Sequence, residues 1–223
     1  MSLRKMLTLK GIRYILYIAE FIALISAVYS FKRSAPIQQK TLPLYFLFIV
    51  FAEYVGRYFD NARLLDYTRN WYAYFVIPIE FLFFYWFLWR HFAGQKTRLW
   101  IAVGSVLFML SLVMEWLVFY DTTTTFISLS YTMGNLILLI FILMYFNGLV
   151  HSKRILNFTN ELEFWICSGL LLFYLCTFPF FGLYNYFLEK FPDEFRTYYV
   201  VMLLLNILMY AIFSFGMIWT RRK

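Results

Sequence analysis

Residues 71–89 read WYAYFVIPIEFLFFYWFLW, and the reading of that stretch decides the fold. At 1.5 Å rise per residue, an apolar helix of about 20 residues crosses a hydrocarbon core of roughly 30 Å. Near the middle stands one acid, Glu80, two residues after Pro78. A carboxylate at that depth costs on the order of 2.5–3.5 kcal/mol on insertion scales, so it calls for a partner or a purpose. Glu20, Glu53 and Glu115 sit in similar apolar surroundings in neighbouring segments.

The whole chain shares this character. Of 223 residues, 63% are hydrophobic and 24% aromatic, with a mean hydropathy of +0.68. A soluble domain averages about 45–50% apolar, so this composition belongs in lipid. The net charge of +8 comes from Lys and Arg placed almost wholly in tails and connections. That is the charge that flanks membrane spans, and no nucleic-acid partner is expected. Cys167 and Cys176 share one hydrophobic segment; nine residues on a helix is about 13 Å, too far for a disulfide. The basic N-terminus runs into an apolar stretch without a convincing small-residue cleavage site, so an uncleaved first span is expected.

Apolar runs separated by charged or Pro/Gly-containing connections predict seven spans: 13–31, 42–59, 71–89, 99–120, 126–148, 164–184 and 197–219. The runs lack the alternation of a membrane β-barrel, and helices satisfy every backbone polar group in lipid. The expectation is an all-α, polytopic membrane protein, one seven-helix bundle forming a single domain over 1–223. Trp and Tyr crowd the span ends (Trp71, Tyr72, Trp89, Trp100, Trp116, Tyr120, Tyr198, Tyr199, Trp219), as an aromatic belt requires. The connections HSKRILNFTNELE and LEKFPDEFRT are amphipathic enough to lie along the interface, and the Thr run at 122–125 reads as a polar turn. The side holding connections one, three and five and the C-terminal tail is the more evenly basic, which puts the C-terminus in the cytoplasm and the N-terminus outside.

Depth links the acids. Glu20 follows Arg13 by seven residues at the start of span one, and Glu53 precedes Arg57 by four near the end of span two. Glu80 is nine residues into span three, and Glu115 is five before Tyr120 at the end of span four. Alternating span direction places all four in the same half of the bilayer. Asn135, Thr177 and Asn206 fall at comparable depth. Glu20, Glu53, Glu80, Glu115, Asn135 and Asn206, with Arg57 at the rim, are therefore the candidate ligand-binding residues. The structural alternative is that the acids snorkel or pair with Arg13, Arg57 or Arg196, and that Asn acts as interhelical glue worth about 0.6–2 kcal/mol. Pro78 removes a helix hydrogen bond beside Glu80, and Pro179 does so in span six.

Catalytic constellations are missing from the sequence. His91 and His151 are the only histidines, both in basic connections, where zinc hydrolysis inside a membrane needs several His or Asp ligands. No G-x-S-x-G elbow, P-loop or dinucleotide fingerprint occurs. Oxygen ligands suit a hard cation such as Ca²⁺ or Na⁺, but nothing in the spacing specifies one. No catalytic residue, metal or cofactor is expected.

The block FAEYVGRY, followed by a polar connection and NWYAYFVIPIEFLFFYWFLWR, resembles a set of small bacterial seven-helix integral membrane proteins. The positions that carry the likeness are Glu53, Gly56, Asn70, Trp71, Tyr74, Ile79, Glu80 and Phe81. It covers spans two and three well and the rest by layout. The resemblance implies a fold and a compartment, the bacterial inner (cytoplasmic) membrane, and brings no activity. In size and helix number the chain is also similar to membrane accessory proteins encoded beside RNA-targeting CRISPR effectors, though no motif carries that likeness.

The expected function is a non-enzymatic sensor or regulatory subunit binding a small ligand, ion or lipid in an intramembrane polar pocket. The alternative is a small-solute or ion carrier or a pore-forming, defence-associated protein whose acids line the path. Beyond the lipid bilayer, the expected partners are that unknown ligand or ion and either further copies of the chain or a partner membrane protein.

Overall fold

The computed structural model describes residues 3–31, 36–92, 94–119 and 128–221. The Thr run at 122–125, Tyr120 and Lys223 lie outside the described residues. Among the described residues the chain is helical, without strands. Its elements are α1 (Leu3–Ser30), α2 (Ile37–Lys40), α3 (Leu42–Asn61), α4 (Leu65–Trp71), a π-helical turn (Tyr72–Val76), α5 (Ile77–His91), α6 (Gln95–Phe119) and α7 (Ser128–Val150). A 3₁₀ segment (Lys153–Asn160), α8 (Leu162–Gly182), α9 (Tyr184–Lys190) and α10 (Pro192–Arg221) complete the chain.

Seven helical stretches are long and apolar enough to cross a membrane: Lys10–Ser30, Ile37–Asn61, Leu65–His91, Gln95–Val118, Leu129–Val150, Leu162–Gly182 and Pro192–Thr220. The chain is a multi-pass membrane protein. The second, third and seventh stretches begin earlier than their apolar runs do, because a helix started in the interface continues into lipid without breaking a hydrogen bond. Proline marks the starts of the second and seventh. Pro43 sits in the first turn of α3 and Pro192 opens α10, where the missing N–H is one of the helix's unpaired donors in any case. The connection LEKFPDEFRT divides between α9 and the start of α10, with non-helical backbone at Phe191 between them.

α1 packs between α3 and α10, α10 against α8, and α8 against α7, while α6 lies beside α5 and α7. Half of the fifth and sixth spans is buried, against 22% of the fourth, so α6 is peripheral and turns most of its surface to lipid. The core is aromatic: Phe81, Phe84, Tyr85 and Phe87 of α5 are at most 1% exposed. Tyr45 stacks on Phe83 with ring centroids 4.1 Å apart, and Phe81 meets Phe108, Tyr131 and Tyr174. In lipid, such packing and a few hydrogen bonds hold helices together, because burying apolar surface away from acyl chains gains little.

The third span is widened by one π turn just before Pro78. Ile77 N–H donates to the Tyr72 carbonyl, five residues back, in place of the usual four-residue step. Proline has no N–H for the Tyr74 carbonyl, and the chain takes up the defect as one wide turn. In consequence, the faces of the third span before and after this turn are rotated relative to each other. Trp71 Nε1–H reaches across to the Ala52 carbonyl of α3 at 3.1 Å, tying the wide turn to the second span.

Candidate intramembrane acidic site

Glu20, Glu53 and Glu80 line one cavity of about 170 Å³ between the helices. α1 supplies Glu20, α3 Glu53, α5 Glu80, and α10 adds Asn206 and Tyr210. The rest of the wall is aromatic or apolar, with Tyr72, Tyr131, Tyr174 and Phe181 foremost, and no Lys, Arg or His is part of it. The three carboxyls lie within electrostatic reach of one another. Glu80 is only half-buried, although protein surrounds it, because part of its surface faces this space.

Tyrosines stand against two of the acids. Tyr174 Oη donates to Glu80 Oε1 at 3.1 Å, and Tyr45 lies close to the same carboxyl. Tyr72 lies close to Glu53. Glu20 is 3% exposed and accepts no hydrogen bond from any described residue. Asn206 Oδ1, on the same wall, is buried and likewise without a partner among the described residues. Buried acceptors left open in this way are uncommon, since each costs about 1–3 kcal/mol.

The cavity adjoins a wider vestibule of about 410 Å³, with Glu53, Tyr72 and Asn206 common to both walls. Arg13, Arg57, Asp60 and Arg69 stand around this vestibule. Arg13 reaches Asp60 at 3.4 Å and Tyr199 Oη at 3.0 Å, and Arg69 pairs with Asp66 at 3.1 Å. Arg57 pairs with no carboxylate among the described residues; it donates to Tyr14 Oη at 3.0 Å and lies over the Tyr14 ring at 5.1 Å. The vestibule is on the N-terminal side of the first span. A separate groove of about 390 Å³ between α1 and α3 also touches Glu20 and Glu53, and its other walls include exposed Ile18, Phe21 and Ile22.

Of the residues singled out in the sequence, the structure thus brings Glu20, Glu53, Glu80 and Asn206 to one cavity, with Arg57 at its mouth. Glu115 and Asn135 lie elsewhere. Glu115, 6% exposed, accepts from Leu129 N–H at 3.1 Å, Ser130 N–H at 2.7 Å and the Ser130 hydroxyl. It caps the start of α7, satisfying donors that the first turn leaves open. Asn135 is fully buried and donates through Nδ2 to the Tyr174 carbonyl at 3.1 Å, which joins α7 to α8. Thr177 is also turned to the helix, donating to the Phe173 carbonyl at 2.7 Å.

In the sequence Tyr72 reads as an aromatic-belt residue, and Tyr45, Tyr174 and Tyr210 carry no site assignment. Their signal was present: Tyr210 follows Asn206 by four residues, and Tyr72, Val76 and Glu80 recur at helical spacing. Tyr in an apolar run reads as core or belt unless its hydroxyl has an acid to meet.

At the opposite end of the bundle is a second polar cluster. Gln39 Nε2 donates to Glu163 Oε1 at 3.1 Å, Arg154 pairs with Glu161, and Arg154 Nη1 lies 3.3 Å from His91 Nε2. Each acid there has its donor, so the cluster reads as a clamp between the first connection, the 3₁₀ segment and the start of α8. Among the described residues, no three His, Cys, Asp or Glu side chains converge closely enough to hold a metal ion. No protein-family model, curated protein or solved structure matches this chain.

Proposed function

We propose that this protein is a non-enzymatic membrane sensor or regulatory subunit of a bacterial inner membrane, with a small ligand taken up in the acidic cavity. The observation behind the reading is the meeting of Glu20, Glu53 and Glu80, from three spans, in one cavity that shares wall residues with a charged vestibule. Ionisable groups inside a membrane face a bundle interior or cavity and mark functional pathways. A wall of carboxyls, phenols and one amide carries binding groups, with no nucleophile–base pair beside them. In the orientation read from the basic connections, the vestibule opens outside and the Arg154–Glu161 clamp faces the cytoplasm. A ligand arriving from outside then reaches Glu80 through a third span that is already wide at Tyr72–Val76.

Thermal-shift screening of a small-molecule library against the purified chain tests the proposal, with Glu80→Gln in parallel. The expected result is one ligand class that raises the wild-type melting temperature and leaves the variant unmoved. A library that shifts both proteins equally, or neither, overturns the reading.

The carrier reading has one observation in its favour, the π turn before Pro78 in the third span, with a second proline, Pro179, inside α8. Discontinuous helices are how carriers build midplane sites. Uptake of the screened ligand into proteoliposomes, lost in Glu80→Gln, is the outcome that would prefer it.

A further inference from the structure

We propose that the cavity takes the primary ammonium group of a ligand whose remainder is neutral or anionic. This rests on the binding reading above and names its ligand class.

Charge gives the first part. Three carboxyls share about 170 Å³ with no Lys, Arg or His on the wall. A buried carboxylate without a counter-charge costs several kcal/mol unless a proton or a cation neutralises it. The carboxyls do not close on one point as metal ligands would; they surround a space. At about 30 Å³ per water, that space is five or six water volumes, room for an ammonium and a few carbons. Tyr72, Tyr131, Tyr174 and Tyr210 present aromatic surface around it, and cations are attracted to such faces.

Hydrogen-bonding capacity gives the second. Glu80 already accepts a tyrosine hydroxyl, that of Tyr174. Glu20, 3% exposed, and Asn206 Oδ1 line the same cavity and accept nothing from the described residues. Open acceptors call for donors. A primary ammonium has three N–H donors; a quaternary ammonium has none and would leave both acceptors unpaired.

The mouth supplies the third. Arg13, Arg57, Arg69 and Asp60 line the vestibule; Arg13 pairs with Asp60 and Arg69 with Asp66, while Arg57 has no carboxylate partner among the described residues. Arg57 lies four residues beyond Glu53 on α3, about 6 Å along the axis. A ligand with its ammonium at the carboxyls therefore has its other end near the Arg57 guanidinium, the one without a carboxylate partner among the described residues. That arrangement repels a second ammonium and accommodates a hydroxyl, a carboxylate or a phosphate. Two sources share this chemistry: a free amino alcohol or amino acid, and the headgroup of an aminophospholipid.

The test uses the full chain in nanodiscs of phosphatidylcholine and calorimetric titration with ethanolamine, choline and putrescine. Ethanolamine is expected to bind at least tenfold more tightly than choline or putrescine, and Glu20→Gln to weaken it at least tenfold. Exposed Glu189→Gln serves as the control and leaves it unchanged. Adding phosphatidylethanolamine to the nanodiscs separates the sources: competition with ethanolamine assigns the lipid headgroup, and undiminished binding assigns a free amine. Equal affinity for choline and ethanolamine overturns the proposal. So does a library hit that depends on Glu80 but is neutral or anionic, in which case binding in the cavity stands and only the ligand class fails. No Glu80-dependent hit of any class sinks both.

Discussion

The Tyr72 ring occupies the space beside Gly56: a Cβ built on Gly56 would stand 2.7 Å from both Cε2 and Cζ of that ring and closer still to the hydroxyl. Gly56 and Glu53 are three residues apart on α3, one turn of one face. The missing side chain at 56 is thus what lets Tyr72 lie across α3 beside Glu53. This contact, with Trp71 on the Ala52 carbonyl, joins the second and third spans beside the cavity.

Gly56→Ala therefore acts on the site more than on the fold. The tip of the Tyr72 ring swings away, at an overpacking cost of about 1–3 kcal/mol, and Glu53 loses its phenol. Ligand affinity is expected to fall at least tenfold by calorimetry, and the double variant Gly56→Ala/Tyr72→Ala to recover the stability without the affinity. Additive effects of the two substitutions on melting temperature would contradict the contact.

Pro78→Ala restores an N–H for the Tyr74 carbonyl. Removing an interior helix proline is worth up to about 3 kcal/mol, so the melting temperature rises. Relaxation of the wide turn at Tyr72–Val76 would rotate Tyr72 relative to Glu80, and ligand binding falls as stability grows. A variant that gains stability and keeps its affinity would show that the turn does not shape the site.

Glu115→Ala removes the cap from α7. Leu129 N–H, Ser130 N–H and the Ser130 hydroxyl lose their acceptor, at about 1–3 kcal/mol. Thermal unfolding in detergent is expected to show that loss, with ligand affinity unchanged. A tenfold loss of affinity at constant stability would return Glu115 to the site.

Arg154→Gln breaks the pair with Glu161 at the opposite mouth, where the Arg154 side chain is 47% exposed. An ion pair so accessible is worth about 1 kcal/mol or less. A small drop in melting temperature and no change in ligand affinity are expected. A large effect on binding would connect the two ends of the bundle.

Height was legible in the sequence, and direction around each helix was not. Counting residues from the ends of the apolar runs sufficed to put Glu20, Glu53 and Glu80 at one level. The same count put Glu115 there too, but α6 is peripheral, and its acid turns to the start of α7, whose Ser130 lies fifteen residues on across a connection. Nor does a count show azimuth for Asn135, whose amide finds the Tyr174 carbonyl on α8. Pro78 announced a weak point in the third span. That the weakness becomes a π turn follows from tertiary ties that no local pattern contains, Trp71 to Ala52 and Tyr72 to Glu53. The tyrosines were hidden for a related reason: a phenol in an apolar run gains meaning only from the acid opposite it.

Thiol labelling tests the aqueous reach of the acidic cavity most directly. In a Cys176→Ser background, which removes the exposed native thiol, Asn206→Cys and Asn135→Cys are each treated in proteoliposomes with a membrane-impermeant, positively charged methanethiosulfonate. Cys at 206, on the wall shared by vestibule and cavity, should be modified rapidly, and ethanolamine should slow the reaction, while Cys at the fully buried 135 stays unmodified. Equal protection of both positions would mean that no solute reaches the carboxyls from water, and the three acids would then belong to the packing of the bundle.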